Sequence, residues 1–335
     1  RIPRHNHFRA RGQFHFTDFH LPPLTFAEYM TLRREDALVE LDNASRWGIA
    51  PDIDALNEAF VRYLNFGGYP EVALVKEVQD NPARFVKSDI IDKVLLRDLP
   101  SLYGIHDVQE LNYLFTTLAF NTGQEIQLEE LSKHSGVAKN TIKRYLDYLE
   151  AAFLIRRVYR VDRSARRFQR ETHFKAYVTN PSLRSALFAP LAADDAGMGH
   201  LVETGCLAQW LHSHEGMHYA RWSGKGRNEV DFVLLNARLR PEFALEVKWS
   251  DSPVERPERE LKALLEFSRD NGLAFAAVTT RTIERDEVVG GVRVHFVPAA
   301  LYCHVVGRNV VKDGWNVSRM FRESPSAAPA ATPFE

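Results

Sequence analysis

The sequence predicts a mixed α/β protein of more than one domain, and three observations predict it. The first half of the chain carries apolar residues at helical spacing, with caps and breakers between segments. From about residue 198 the pattern changes to α-β-β-β-α-β, with short strands rich in Val, Leu and Phe. The chain has 335 residues, more than one ordinary domain needs, so two or three are expected.

Bulk properties narrow the class. Hydrophobic residues make up 45% and charged residues 26% of the chain, the balance of a globular protein with a sizeable core. No run approaches the roughly 18 apolar residues of a membrane span, so no membrane partner is expected. Arg1-Ile2-Pro3-Arg4-His5 lacks the apolar stretch of a secretory signal. Two cysteines, Cys206 and Cys303, make neither a zinc motif nor a disulfide framework. Reduced thiols and a cytoplasmic location are the default expectation. Formal net charge is -1, but its distribution is uneven. Between Lys139 and Lys175 lie Lys143, Arg144, Arg156, Arg157, Arg160, Arg163, Arg166, Arg167 and Arg170, against Asp147, Glu150, Asp162 and Glu171. Such a cluster either follows a phosphate backbone or forms a solvated or partner-facing surface.

In chain order, Thr25 is an expected N-cap with Glu28 as its capping-box partner, so a short helix follows. The histidines before it (His5, His7, His15, His20) are irregularly spaced and read as solvated surface rather than a metal tract. Over 52–66, Ile53, Leu56, Phe60 and Leu64 share one helical face, and Phe66-Gly67-Gly68-Tyr69-Pro70 ends that helix. Helical patterns continue over 82–98 and 107–120. The stretch 125–160 reads as a winged helix-turn-helix. Leu128, Leu131 and Val137 bracket a turn at Ser135-Gly136, where glycine supplies the positive φ. A second helix runs from Lys139 to Leu149, and 153–160 has the strand character of a wing. Lys139, Lys143 and Arg144 fall near the start of that helix, where DNA-reading residues sit, although many such modules bind only protein. Residues 324–333, rich in Pro, Ala and Ser, are expected to be a disordered tail.

The chemistry concentrates after residue 198. Residues 199–211 form a helix with Glu203 among apolar neighbours, and 217–222, 228–235 and 242–248 are three strands. An amphipathic helix over 256–269 and a buried strand over 273–278 follow. Cys206 is expected in the core. Alternation puts Asp231 with Val233 on one face, and Glu246 with Lys248 on one face. Paired as a hairpin, the two strands bring Asp231 to Glu246 and Lys248. Two carboxylates there suit a hard cation, Mg²⁺ or Mn²⁺, with Glu203 reaching it through a water. Lys248 beside them would orient or deprotonate water and offset charge on a phosphate. A Glu-x-Lys pair is by itself commonly a surface ion pair. Here Phe243, Leu245 and Val247 flank it, where an unpartnered charge is costly. Arg221, Lys225 and Arg227 either hold a phosphate or solvate a hairpin tip.

From about Phe19 to Val306 the chain resembles the C-terminal two-thirds of a prokaryotic AAA+ superfamily ATPase that carries a C-terminal domain of unknown function. The resemblance rests on Leu21-Pro22-Pro23-Leu24-Thr25-Phe26-Ala27-Glu28-Tyr29, Phe66-Gly67-Gly68-Tyr69-Pro70-Glu71, Leu96-Arg97-Asp98-Leu99, the stretch 141–154, Leu201-Val202-Glu203, Glu229-Val230-Asp231-Phe232-Val233 and Glu246-Val247-Lys248. It implies an ATPase-core remnant over 1–35, a helical lid-like region over 36–105 and a winged helix-turn-helix over 106–180. It further implies a restriction-endonuclease-like PD-(D/E)xK domain over 181–310, with a largely disordered tail over 311–335. Such proteins begin with a P-loop, and no Gly-x-x-x-x-Gly-Lys-Ser/Thr occurs here. ATP binding and hydrolysis are therefore not expected of this chain, and Arg1 in place of a starting Met fits a fragment or a processed chain.

Three functional expectations follow. In the first, Glu203, Asp231 and Glu246 hold Mg²⁺ or Mn²⁺ and Lys248 activates water, giving a metal-dependent DNA endonuclease. DNA would be steered by Lys139, Lys143, Arg144, Arg156, Arg157, Arg166 and Arg167. In the second, the same fold binds nucleic acid or protein without cutting, as a regulatory module of an ATP-driven machine. In the third, the chain is inert alone and exposes an apolar face near residues 14–30. A homo-oligomer or a separate ATPase are the further partners consistent with the resemblance.

Overall fold

The computed structural model describes residues 22–41, 47–166, 173–213, 216–223 and 228–313. The four early histidines, Arg167, Arg170, Lys225, Arg227 and the expected disordered segment lie outside these residues.

Helix α1 (Phe26–Arg33) starts where the sequence predicts. The Glu28 amide donates to Thr25 Oγ1 at 3.3 Å, and the Thr25 amide donates to the Glu28 carboxylate at 2.8 Å. Helix α2 (Ile53–Phe66) is capped by Asp52, which accepts from the Ala55 amide, and it buries Leu56, Phe60 and Leu64 as the periodicity requires. Pro70 then opens a new short helix, Pro70–Leu74, as its first residue. The pattern expected over 82–98 is helical, and within it Val86–Asp92 and Val94–Asp98 take π-helical hydrogen bonding. Helices α3 (Val108–Phe120), α4 (Leu128–Ser135) and α5 (Lys139–Ala151) follow, with Gly136 at φ 72° ending α4.

The remaining helices lie among the strands of one large mixed sheet. In chain order these strands are β1 (Glu125–Gln127), β2 (Ile155–Val161), β3 (His173–Val178), β4 (Met217–Arg221), β5 (Glu229–Leu235), β6 (Pro241–Glu246), β7 (Phe275–Thr280), β8 (Arg285–Val289) and β9 (Val292–Pro298). Among the described residues the sheet has nine strands, in the order β8-β9-β7-β6-β5-β4-β2-β3-β1. Helix α6 (Met198–Gln209) precedes β4, α7 (Lys262–Asp270) precedes β7, and α8 (Ala299–Asp313) follows β9. The order α6-β4-β5-β6-α7-β7 is the one predicted from about residue 198. The hairpin β8–β9 and the helix α8 were not anticipated.

The sheet crosses the boundary expected near residue 180. Strand β2 pairs in parallel with β4 through Tyr159↔His218, Arg160↔Tyr219 and Val161↔Ala220. The strands that follow the α4–α5 pair are thus continuous with those that carry Asp231 and Glu246. One core cluster joins α1, α2, α6 and α8 to the sheet through Phe26, Phe60, Cys206, Phe232, Tyr302 and their neighbours. The apolar side of α1 is buried there, with Phe26, Tyr29 and Met30 almost fully enclosed. The apolar face expected to be exposed near 14–30 is therefore covered over its described part, because Phe26 packs against Phe60 and Tyr63. Cys206 is in the core as expected, facing the free thiol of Cys303 at 3.7 Å.

Candidate active site

The antiparallel register of β5 and β6 runs Leu234↔Phe243, Val233↔Ala244 and Phe232↔Leu245, and its next step sets Asp231 opposite Glu246. On its other side β5 carries a bulge. Ala220 pairs with Val230 and His218 with Val233, so Asp231 and Phe232 together face the single residue Tyr219. Bulges re-aim side chains, and this one interrupts the alternation on which Asp231 and Val233 were expected to share a face. Val230 and Val233, three residues apart, pack into the same core cluster as a result. Asp231 Oδ2 accepts from the Val247 amide at 2.8 Å, tying β5 to the end of β6.

Strand β6 ends at Glu246, two residues before the expected limit. Past that end, the hydroxyl of Thr279 on β7 accepts from the Lys248 amide and donates to the Lys248 carbonyl, both at 2.7 Å. This clamp fixes the backbone of Lys248, whose ammonium lies against Glu246 Oε1. Glu246 Oε2 is buried and has no hydrogen-bond partner among the described residues. Such an acceptor is costly unless something supplies positive charge or a donor.

Glu203 reaches the cluster from α6. That helix seats closely on α2 because position 205 is glycine: a Cβ there would stand 2.4 Å from Leu64 Cδ2. Glu203 Oε1 accepts from Lys175 Nζ at 2.8 Å and from the Tyr177 hydroxyl at 2.5 Å, while His200 Nδ1 lies 3.8 Å from its other oxygen. Lys175 was read from the sequence as the end of a basic surface cluster. It is instead 2% exposed on β3, and its ammonium also lies 2.8 Å from Glu229 and 3.6 Å from Asp231. The signal for it was present: Phe174, Ala176 and Val178 surround the lysine in sequence, the same setting that marked Glu246 and Lys248 as buried.

The electrostatics follow from this packing. Glu203, Asp231 and Glu246 are 6%, 6% and 9% exposed. Burial works against the Glu203 carboxylate, but Lys175, with the nearby His200 imidazole and a hydrogen bond from Tyr177, outweighs it and holds Glu203 below the usual carboxylate range. Asp231 goes the other way. Burial, then the charges of Glu246 and Glu203, push its carboxyl well up, and Lys175 and Lys248 only partly offset them. Burial disfavours the Lys175 charge, yet Glu203, Tyr177, Asp231 and Glu229 together hold its ammonium well above the ordinary lysine range.

These features decide how a divalent cation fits. Asp231 and Glu246 form an acceptor-rich pair with an unsatisfied oxygen and excess negative charge, a donor set suited to a hard cation. Glu203 is already committed to Lys175 and Tyr177. Among the described residues no three His, Cys, Asp or Glu side chains are grouped so as to hold a metal ion. The fit is therefore to the Asp231–Glu246 end, with Glu203 behind Lys175.

The expected DNA-contacting residues divide into two kinds. Lys143, Arg144, Arg156 and Arg166 are exposed, as is Lys139, which pairs with Glu129. Arg157 is engaged instead, donating to Glu150 at 2.6 Å and 2.9 Å and to Asp147 at 2.7 Å. Arg221 pairs with Glu125 and lies 3.5 Å from Glu229. No described helix is long and apolar enough to cross a membrane.

A family model described as a domain of unknown function (DUF8612) matches residues 57–195. That stretch includes α3 to α5 and Lys175, and it ends before Glu203. A Haemophilus influenzae protein described as "Uncharacterized protein" is 24% identical over 228 residues, covering 66% of this chain and 51% of that protein. The chain thus spans about half the length of the curated relative it matches. No solved structure matches it.

Proposed function

We propose that this chain is a DNA-binding, nuclease-like module of an AAA+ ATPase-type protein, holding Mg²⁺ or Mn²⁺ at Asp231 and Glu246 and cleaving phosphodiester bonds. The observation that carries the reading is the buried Asp231–Glu246 pair beside Lys248, with one carboxylate oxygen left unsatisfied. The order α6-β4-β5-β6-α7-β7 with Glu203, Asp231, Glu246 and Lys248 on it supports a PD-(D/E)xK, restriction-endonuclease-like assignment. The succession β1-α4-α5-β2-β3, with β3 pairing both β1 and β2, supports a winged helix-turn-helix.

The residues divide the work as follows. Asp231 and Glu246 would hold the ion, which would supply positive charge beside the phosphate and lower the pKa of a nearby water. Lys248, held by the Thr279 clamp, positions the attacking water and offsets charge developing on the phosphate. Tyr177 holds Glu203, and Glu203 orients Lys175 behind the carboxylates. Lys143, Arg144, Arg156 and Arg166 supply the salt-sensitive contacts to the DNA backbone.

Calorimetric titration of Mn²⁺ into the wild type and into Asp231→Ala/Glu246→Ala tests the site. Saturable binding lost in the double variant is the expected result, and Lys248→Ala is expected to abolish cleavage while DNA affinity stays within about twofold. A second reading, a module that binds nucleic acid without cutting, is favoured by the two lysines already paired with the carboxylates. Wild-type protein that binds DNA but neither Mn²⁺ nor Mg²⁺, with or without DNA present, would establish it instead.

A further inference from the structure

Lys175 has a more specific role than structural pairing. Its ammonium carries three protons, and three carboxylates surround it: Glu203 and Glu229 at 2.8 Å and Asp231 at 3.6 Å. These come from α6 and β5, while the lysine comes from β3, a strand that neighbours neither element in the sheet. The Tyr219 ring lies 5.5 Å from the same nitrogen, closing a further side with its π face. The group is almost fully enclosed, so no solvent competes for it. A divalent ion taken up between Glu203 and Glu229 would meet this ammonium at contact distance, a repulsion that a dry site does not screen. The other end of the cluster differs. There Lys248 is partly exposed, at 26%, and the buried Oε2 of Glu246 has no partner among the described residues.

We infer that Lys175 is a built-in cation of the carboxylate cluster: it fills the place between Glu203, Glu229 and Asp231, so that the site takes one divalent ion, at Asp231–Glu246, and no second. The inference rests on the proposed metal site for the single ion of the wild type, but the exclusion by Lys175 is read separately. Lys175 is a positioning residue, since it touches neither substrate nor the reacting atoms.

The test is the number of Mn²⁺ ions bound per chain, measured by calorimetry and by electron paramagnetic resonance of free Mn²⁺. Lys175→Met keeps an unbranched apolar stem, stops one atom short of the ammonium and removes its charge, and it is expected to bind one more Mn²⁺ than the wild type. Lys175→Arg is expected to bind no more than the wild type. Lys175→Met/Glu229→Gln leaves the net charge of the cluster unchanged and is still expected to gain an ion, because the place and not the net charge decides. It also serves where the single variant folds poorly, as does recovery of the folded state of Lys175→Met on adding Mn²⁺. Two ions in the wild type, or no gain in any folded variant lacking Lys175, would overturn the inference. A wild type with no ion and a Lys175→Met protein with one would sustain it while removing the wild-type metal site.

Discussion

Asp231 sits where three effects meet. It is buried, it faces Glu246 across the β5–β6 register, and it shares Lys175 with Glu203 and Glu229. Its folded pKa is raised above the unfolded value near 3.9, so the folded state binds this proton more tightly than the unfolded state does. The resulting stability is fully present below about pH 4 and is lost as pH rises through the raised folded value. Glu203 has the opposite sign: its folded pKa is lowered, so its contribution is present above the ordinary carboxylate range and disappears as pH falls through the folded value. In EDTA, wild-type stability from urea denaturation is therefore expected to decline between pH 7 and pH 8, above the range in which buried His304, its folded pKa held down at about 4, adds stability with rising pH. Asp231→Asn, which keeps the acceptor for the Val247 amide, is expected to flatten the decline and to be the more stable protein at pH 8, by on the order of a few kcal/mol. With Mn²⁺ added the ranking should invert, since only the wild type gains from the ion. A wild type whose denaturation midpoint is indifferent to pH across this range would mean that Asp231 ionises freely.

At the scale of elements, α5 and β2 separate two uses of basic residues. Lys143 and Arg144 project from α5 into solvent, whereas Arg157 on β2 is held by Glu150 and Asp147. Lys143→Ala/Arg144→Ala is expected to lower the slope of log affinity for duplex DNA against log salt by about 1.8, the value for two lost phosphate contacts. Arg157→Ala should leave that slope unchanged and destabilise the fold by about 1.5–3 kcal/mol, because it strands the partly buried carboxylate of Glu150. Fluorescence anisotropy at several salt concentrations, beside a denaturation curve for each variant, distinguishes the two residues. The sequence carried the local signals at several places: Gly136 with its positive φ, the apolar face of α5, and the capping box of α1. Those are short-range properties of side-chain size and hydrogen bonding. It did not carry the partner of Arg157, seven and ten residues from its carboxylates, or the placement of Lys175, which depends on strands paired across more than forty residues. The bulge at Asp231 was equally hidden, since an extra residue in a strand leaves no periodic trace. Thr279 was missed because its hydroxyl acts on backbone atoms of Lys248, a contact that residue type alone does not announce. The helix α8 was legible in principle, since Leu301, Tyr302, Val305 and Val306 repeat at helical spacing.

For the whole molecule the continuity of the sheet matters most. A chain of this length commonly unfolds in steps, domain by domain. Several contacts join the parts here, and two of them carry the most weight. Strand β2 pairs in parallel with β4, and the ammonium of Lys175 on β3 is bound by carboxylates on α6 and β5. Separating the parts would unpair β4 along one edge and leave Lys175, Glu203 and Glu229 buried without their partners, a change of several kcal/mol for each uncompensated charge. The described part is therefore expected to unfold as one cooperative unit. Tryptophan makes the test direct: no tryptophan occurs between Trp47 and Trp210, so fluorescence reports on the core around α6, β4 and α7 and is silent over residues 70–153. Far-UV circular dichroism, in contrast, includes α3, α4 and α5. Urea curves from the two probes should coincide in the wild type at pH 7. In Lys175→Met they should separate, with one part of the ellipticity lost before the fluorescence changes, because the buried ionic link is gone and what remains is the three paired residues of β2 and β4 with lateral contacts such as Arg221–Glu125 and Thr122–Thr204. Coincident curves in both proteins would place the coupling in the sheet alone, and separate curves in both would show two units that fold independently despite the shared strands.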